Sequence, residues 1–211
     1  MEINKPYDGE KKEGDLFLAS LRMATGPQHR QLEEHPLSKT LMSPTISLEE
    51  YANYLACMQG VMERYDNEVL PFLRNIIPNG EARKKSMLIE NDLHYLLEHK
   101  VSIPSVDKFY MPTLSSNSFA MGVAYVIEGS TLGGRVIIKN LQSQLPVKEN
   151  EGAQFFAGYG QQTGPLWKQF LEALVTFTLE NNSQQEVIAG AQACFQSIYS
   201  HFDKIKILNE V

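Results

Sequence analysis

The stretch FAMGVAYVIEGSTLGGRVIIKNLQSQL, residues 119–145, places apolar side chains at helical steps while holding Gly122, Gly129, Gly133 and Gly134. Each glycine inside a helix costs roughly 0.5–1 kcal/mol relative to alanine. Three physical situations justify that loss: a second backbone packed very close, a kink, or a helix end at Gly133-Gly134. Each of these calls for a helical neighbourhood.

The rest of the chain supplies one. Leu18, Leu21, Thr25, His29 and Leu32 recur at steps of three and four, predicting a helix over about residues 15–34 with Pro27 as an awkward interior residue. A second opens at SLEEYANYLACMQGVMERYDNEVLPFLRNI, where Ser47 and Glu50 have capping-box spacing. A third is GEARKKSMLIENDLHYLLEH. After the glycine-bearing helix come PLWKQFLEALVTFTLEN, with Pro165 at its start, and SQQEVIAGAQACFQSIYSHFDKI, with Ser183 spaced to cap with Glu186. KVSIPSVDKFYMPTLSSNS and LPVKENEGAQFFAGYGQQTG read as loops. Strand-like alternation is almost absent, so the chain is expected to form an all-α domain over 15–211 behind a polar tail, 1–14.

Composition narrows the partners. The chain has 211 residues and a formal net charge of −6, with no basic stripe, which speaks against nucleic acid. Cys57 and Cys194 lie in apolar-periodic segments, far from CxxC spacing, and read as buried, reduced thiols of a cytoplasmic protein. The start lacks the apolar region of a signal peptide, and no run reaches the ~18 apolar residues of a membrane span.

Two metal or phosphate chemistries fail on residue type. Gly129 and Gly134 have P-loop spacing, but Arg135 and Val136 stand where Lys and Ser/Thr must be. A di-iron carboxylate bundle needs paired Glu-x-x-His motifs, and none occurs. His29 offers a different possibility. A lone histidine on an apolar helix face is usually packing, but Glu33 lies one turn on and can hold the ring's second nitrogen, as carboxylates do for metal-binding histidines. Thr25 lies one turn before, and Arg22 two turns before, about 10 Å along the axis. A haem has a matching layout, with iron at its centre and carboxylates at one edge. Tyr125, Gly129 and Gly133 share one face of the glycine helix and can form the opposite wall, while close helix packing is the competing explanation of those glycines.

LRMATGPQHRQLEEHP resembles the proximal-helix pattern of haem oxygenases, and GVAYVIEGSTLGGRVIIK resembles the distal helix of their bacterial, short-chain branch; FFAGYGQQTGPLWKQF is similar to the same branch. The resemblance spans roughly 15–202. It implies a helical bundle in which haem lies between a proximal helix and a kinked, glycine-rich distal helix. It implies that His29 ligates the iron, that Glu33 tunes it, and that Gly129 and Gly133 pack over the ring. Ser130 falls where mammalian members carry an aspartate that organises water. Arg22 and Tyr125 match positions that contact propionates, and Tyr199 is a further candidate contact.

The implied reaction is oxidative cleavage of haem to biliverdin, CO and Fe²⁺, with α-meso regiochemistry, O₂ as oxidant and electrons from an external reductase or ferredoxin. Haem would be substrate and cofactor at once. No flavin, nicotinamide or Fe–S motif is visible. The competing function is a non-catalytic haem carrier or sensor on the same scaffold.

Overall fold

A computed structural model describes residues 8–204. The helices are α1 (Asp8–Glu34), α2 (Pro36–Thr40) and α3 (Leu48–Arg64), which runs on through a π-helical turn (Tyr65–Val69) into α4 (Leu70–Phe72). A 3₁₀ turn (Gly80–Arg83) precedes α5 (Ser86–Glu98). Then come α6 (Asn117–Gln144), α7 (Gln154–Ala157), a second 3₁₀ turn (Gly160–Gln162), α8 (Thr163–Glu180) and α9 (Gln184–Asp203). The β-pairing among the described residues is limited to isolated bridges from Lys148 to Glu151 and Gly152. The all-α expectation therefore holds.

Local chemistry explains some helix starts. At α3 the capping box forms: Ser47 Oγ accepts from Glu50 N at 3.1 Å, and Glu50 Oε2 accepts from Ser47 N at 2.8 Å. At α9 the expected cap does not form. Ser183 Oγ is buried without a partner, and Glu186 instead accepts from Ser116 Oγ at 2.6 Å. Ser116 caps α6 through Phe119 N, so Glu186 ties the starts of two helices together, a tertiary contact that outcompetes the local one.

α1 starts at Asp8, earlier than periodicity indicates; residues 1–7 of the expected tail lie outside the described residues. The reason is Gly14, where an added Cβ would lie 2.7 Å from Val175 Cγ1, so α8 holds this stretch. α1 also continues unbroken through Pro27, which is exposed. The carbonyl of Met23 that proline leaves unpaired lies on the solvent side. In the second expected loop, Asp92 folds α7 from a distance: its buried carboxylate accepts Gln154 N at 2.8 Å and Phe155 N at 2.9 Å.

The tightest packing is the crossing of α6 with α9. A Cβ on Gly122 would sit 2.0 Å from Val187 O, and one on Gly190 would sit 2.0 Å from Phe119 O. The two backbones touch, which only glycine allows. α1 lies along the same α9, with Gln192 Nε2 donating to Ala24 O at 2.9 Å. α1 and α6 are both laid on α9 and α8 rather than on each other. Both cysteines are buried and unbridged, and burial pushes each thiol up to about 12. Among the described residues, no helix is long and apolar enough to cross a membrane.

Two outcomes follow from this packing. Gly122→Ala and Gly190→Ala must each push two helices apart and should destabilise the fold by about 3 kcal/mol in urea titration. Burial raises the Asp92 carboxyl to about 6, against the two backbone bonds that favour its charge. The native state therefore binds more protons than the unfolded chain between about pH 4 and 6. Its contribution to stability is full at the acid end and is lost as pH rises through that window. Asp92→Asn should flatten this slope in melts recorded across pH 4–7.

Candidate functional site

Helical geometry gathers the candidate residues onto one face of α1 and one face of α6, two helices that share α9 and α8 as supports, and these faces are the candidate walls of a ligand cleft. On α1 the face carries Arg22, Gly26, His29 and Glu33, at steps of four, three and four. On α6 it carries Tyr125, Gly129, Leu132, Gly133 and Val136. Arg22 on the α1 face lies close enough to Tyr125 on the α6 face for its charge to act on the Tyr125 hydroxyl. Burial raises the Tyr125 hydroxyl above its ordinary value, and the Arg22 guanidinium pulls it part of the way back.

His29 is 57% exposed, with Nδ1 3.3 Å from Glu33 Oε2. That contact takes one ring nitrogen and leaves Nε2 as the free donor atom, the tautomer a metal-ligating imidazole needs. The ring rests edge-on against Phe195 of α9 at 5.7 Å between centroids. His35, just past the end of α1, is a different kind of histidine. It is buried, accepts from Leu37 N through Nδ1 at 3.1 Å, and sits 3.3 Å from Asp203 through Nε2, so both nitrogens are engaged in closing a corner.

The four glycines of the opening motif sort into two kinds. Gly122 is consumed by the α9 crossing, and a Cβ on Gly134 would lie 2.7 Å from Phe156 O. By contrast, a Cβ on Gly133 meets nothing within 4 Å, and one on Gly129 would meet Trp167 Cη2 only at an ordinary 3.5 Å. Internal packing does not require glycine at 129 or 133. On the facing wall Gly26 is equally free, since its Cβ would meet only the Arg30 side chain at 3.5 Å. Leu132 and Val136, on the same face of α6, are 45% and 60% exposed. Bare backbone and exposed apolar side chains on facing walls suit a flat, largely apolar ligand.

Three other candidate residues are placed as follows. Ser130 is exposed and its hydroxyl donates to Ile127 O at 2.8 Å. The Thr25 hydroxyl is buried and donates to Leu21 O at 2.8 Å, back into its own helix rather than into the cleft. Tyr199 is half-buried with its ring edge-on to His35 at 5.3 Å, near the far end of α1.

A group that sequence reasoning left without a role lies beneath α6. Glu128 is 1% exposed and accepts from Arg83 Nη1 at 2.5 Å, Lys85 Nζ at 2.6 Å, and the Tyr65 and Tyr159 hydroxyls at 2.9 Å each. Burial alone would raise the Glu128 carboxyl, but Lys85 and Arg83 hold it below the usual carboxylate range. Burial pulls the Lys85 ammonium down, against the attraction of Glu128. The signal available in the sequence was a lone carboxylate inside an apolar helix, which burial permits only with partners.

The chain matches known proteins over most of its length. A haem oxygenase family model matches residues 15–204. A haem oxygenase of Xanthomonas campestris pv. campestris is 27% identical over 156 residues, covering 74% of this chain and 90% of the relative. The haem oxygenase of Leptospira interrogans superposes with a TM-score of 0.71 at 16% identity, covering 90% of this chain and 99% of that one. That of Neisseria meningitidis, solved with NO and CO, gives 0.70 at 24%, covering 90% and 94%. That of Synechocystis, in complex with haem, gives 0.69 at 14%, covering 90% and 92%.

The two kinds of glycine respond oppositely to alanine in thermal melts of the ligand-free protein. Gly133→Ala should raise Tm by about 1–4 °C, the helix-propensity gain of about 0.5–1 kcal/mol. Gly134→Ala should lower it.

Proposed function

The chain belongs to the haem oxygenase family, and from that premise we propose that it holds haem between α1 and α6 and cleaves it to biliverdin, CO and Fe²⁺. O₂ is the oxidant, and electrons come from a separate reductase or ferredoxin, since the chain carries no redox motif of its own. It acts in the cytoplasm, where Cys57 and Cys194 stay reduced.

The observation that carries the reading is the pair of facing walls. One presents a single histidine nitrogen free for iron, and the other presents glycines that the fold itself does not need. These residues fit haem: a space at Gly129 and Gly133 that a side chain would fill, apolar contacts from Leu132 and Val136, and a cation with a hydroxyl at one edge. Haem, the substrate, supplies the iron that takes up O₂ and the ring carbon that is oxidised.

The protein's own residues supply aim and protons. His29 binds the iron through Nε2, and Glu33 keeps the imidazole in that tautomer. Arg22 and Tyr125 would hold the propionates, which sets the in-plane rotation and with it the α-meso position. Gly129 and Gly133 let backbone stand over the ring, leaving room for O₂ and little else. Ser130, exposed on the same turn, would hold water as a proton source on that face. Tyr199 contacts the substrate's periphery, and Thr25 supports the proximal helix from within.

Hemin titration followed by aerobic turnover tests the whole reading. A stoichiometric Soret complex should form, His29→Ala should change its axial-ligand spectrum, and added reductant should yield biliverdin that chromatography identifies as the α isomer. Gly129→Leu or Gly133→Leu should abolish haem binding or turnover. A complex that survives reductant and O₂ with its ring intact identifies a carrier instead. An unaltered spectrum in His29→Ala removes the ligand assignment, and a β or δ product removes the rotation argument.

A further inference from the structure

Arg83 is fully buried, and its guanidinium works as a two-armed bracket. One arm, Nη1, donates to Glu128 on α6, and the other, Nη2, donates to Leu166 O on α8 at 3.1 Å. Its Nε is anchored by Pro78 O at 2.9 Å, and the guanidinium plane lies 5.9 Å over the Phe170 ring. Each arm ends one residue before a site feature. Glu128 precedes Gly129, and Leu166 precedes Trp167. Trp167 stacks on Phe170, with centroids 5.7 Å apart and planes 18° from parallel. It also lies 5.7 Å from the Tyr125 ring, and its Cη2 is 3.5 Å from where a Gly129 Cβ would be. Trp167 is half-buried and lies against the candidate wall at Tyr125 and Gly129.

The surrounding irregularities converge on the same bracket. The π turn after α3 brings neighbouring residues Tyr65 and Asp66 inward together. Tyr65 donates to Glu128, and Asp66 accepts Lys85 N and Ser86 N at 2.7–3.1 Å, fixing the segment that carries Arg83 and Lys85. Tyr159 then links Lys85 and Glu128 from the far side. A buried ion pair contributes little net stability once desolvation is counted, but it fixes geometry strongly, because breaking it leaves a bare charge.

We propose that the Glu128–Arg83 pair is a positioning device that sets the spacing between the distal helix and Trp167, and that Trp167 is thereby a wall of the ligand cleft that helps decide how the substrate is turned. The consequence for turnover rests on the haem reading above; the spacing itself does not.

Trp167 is the chain's single tryptophan, so its fluorescence reports on this wall alone. The experiment uses the full chain with Glu128→Gln, which keeps shape but removes the charge. Arg83→Lys is the milder second variant, keeping the cation but losing the fork. Tyr51→Phe serves as a control, since it loses a buried hydrogen bond to Gly152 O outside the cluster.

In the ligand-free protein, acrylamide quenching of Trp167 should rise about twofold or more in both variants, the lower end of effects carried through packed networks. With hemin and reductant, the ratio of biliverdin isomers should shift by a similar factor, while Tyr51→Phe leaves both readouts at the wild-type value. Folded variants with unchanged quenching and isomer ratio overturn the proposal. So does a Tyr51→Phe protein that moves as far as they do, or a failure of both variants to fold, which would make the cluster a stability element only. If Glu128→Gln alone fails to fold, Arg83→Lys decides. If the wild-type protein takes up no hemin, the haem reading falls, and quenching in the ligand-free protein still decides the bracket.

Discussion

Two helix backbones touch where α6 crosses α9, and the site depends on that contact. Gly122 faces Val187 O and Gly190 faces Phe119 O with no room for a methyl group on either side. Once α9 is locked to α6, its other side positions α1 through Gln192 and the Phe195 edge. The histidine wall and the glycine wall are therefore separated by a shared support, and their spacing follows from packing that neither wall makes with the other. Close-packed interiors deform little, so the shared support fixes how the two faces stand relative to each other.

α6 is held from two directions by different physics. Toward α9 the restraint is steric and apolar. Toward the Tyr65–Lys85 segment it is electrostatic: two buried cations and two hydroxyls meet on the single carboxylate of Glu128. A carboxylate with that many donors is tolerated in the interior because every charge is answered nearby. Gly129 and Gly133 lie between Glu128 and Gly134, which abuts Phe156 O, so a stretch of helix weakened by glycine is kept in place by its neighbours. That arrangement lets the chain keep bare backbone at the cleft without losing the helix.

Much of this was legible in residue order. The α3 cap needs only Ser47 and Glu50, three apart, and forms as read. His29 and Glu33 meet because four residues bring them one turn on. Other pairings were hidden by distance along the chain. Asp92 caps α7 from 62 positions away, and Ser116 takes Glu186 across 70, which overrides the local Ser183 cap. Thr25 shares the His29 stripe in sequence, yet its hydroxyl turns back to Leu21 O, because a buried hydroxyl takes the nearest carbonyl.

The sequence by itself determined the helical class, the paired motifs that mark the family, and the histidine with its carboxylate, because each depends on spacing within a helix or on residue type. It could not separate glycines that permit packing from glycines that leave space. Gly122, Gly129, Gly133 and Gly134 look alike in a string of letters. Tertiary structure alone decided that Gly122 and Gly134 abut other backbones while Gly133 faces open space and Gly129 only the edge of Trp167. It also decided that Glu128, between them, is the meeting point of Tyr65, Arg83, Lys85 and Tyr159. The physical reason is the same in both cases: what a buried position tolerates is set by atoms that arrive from distant parts of the chain.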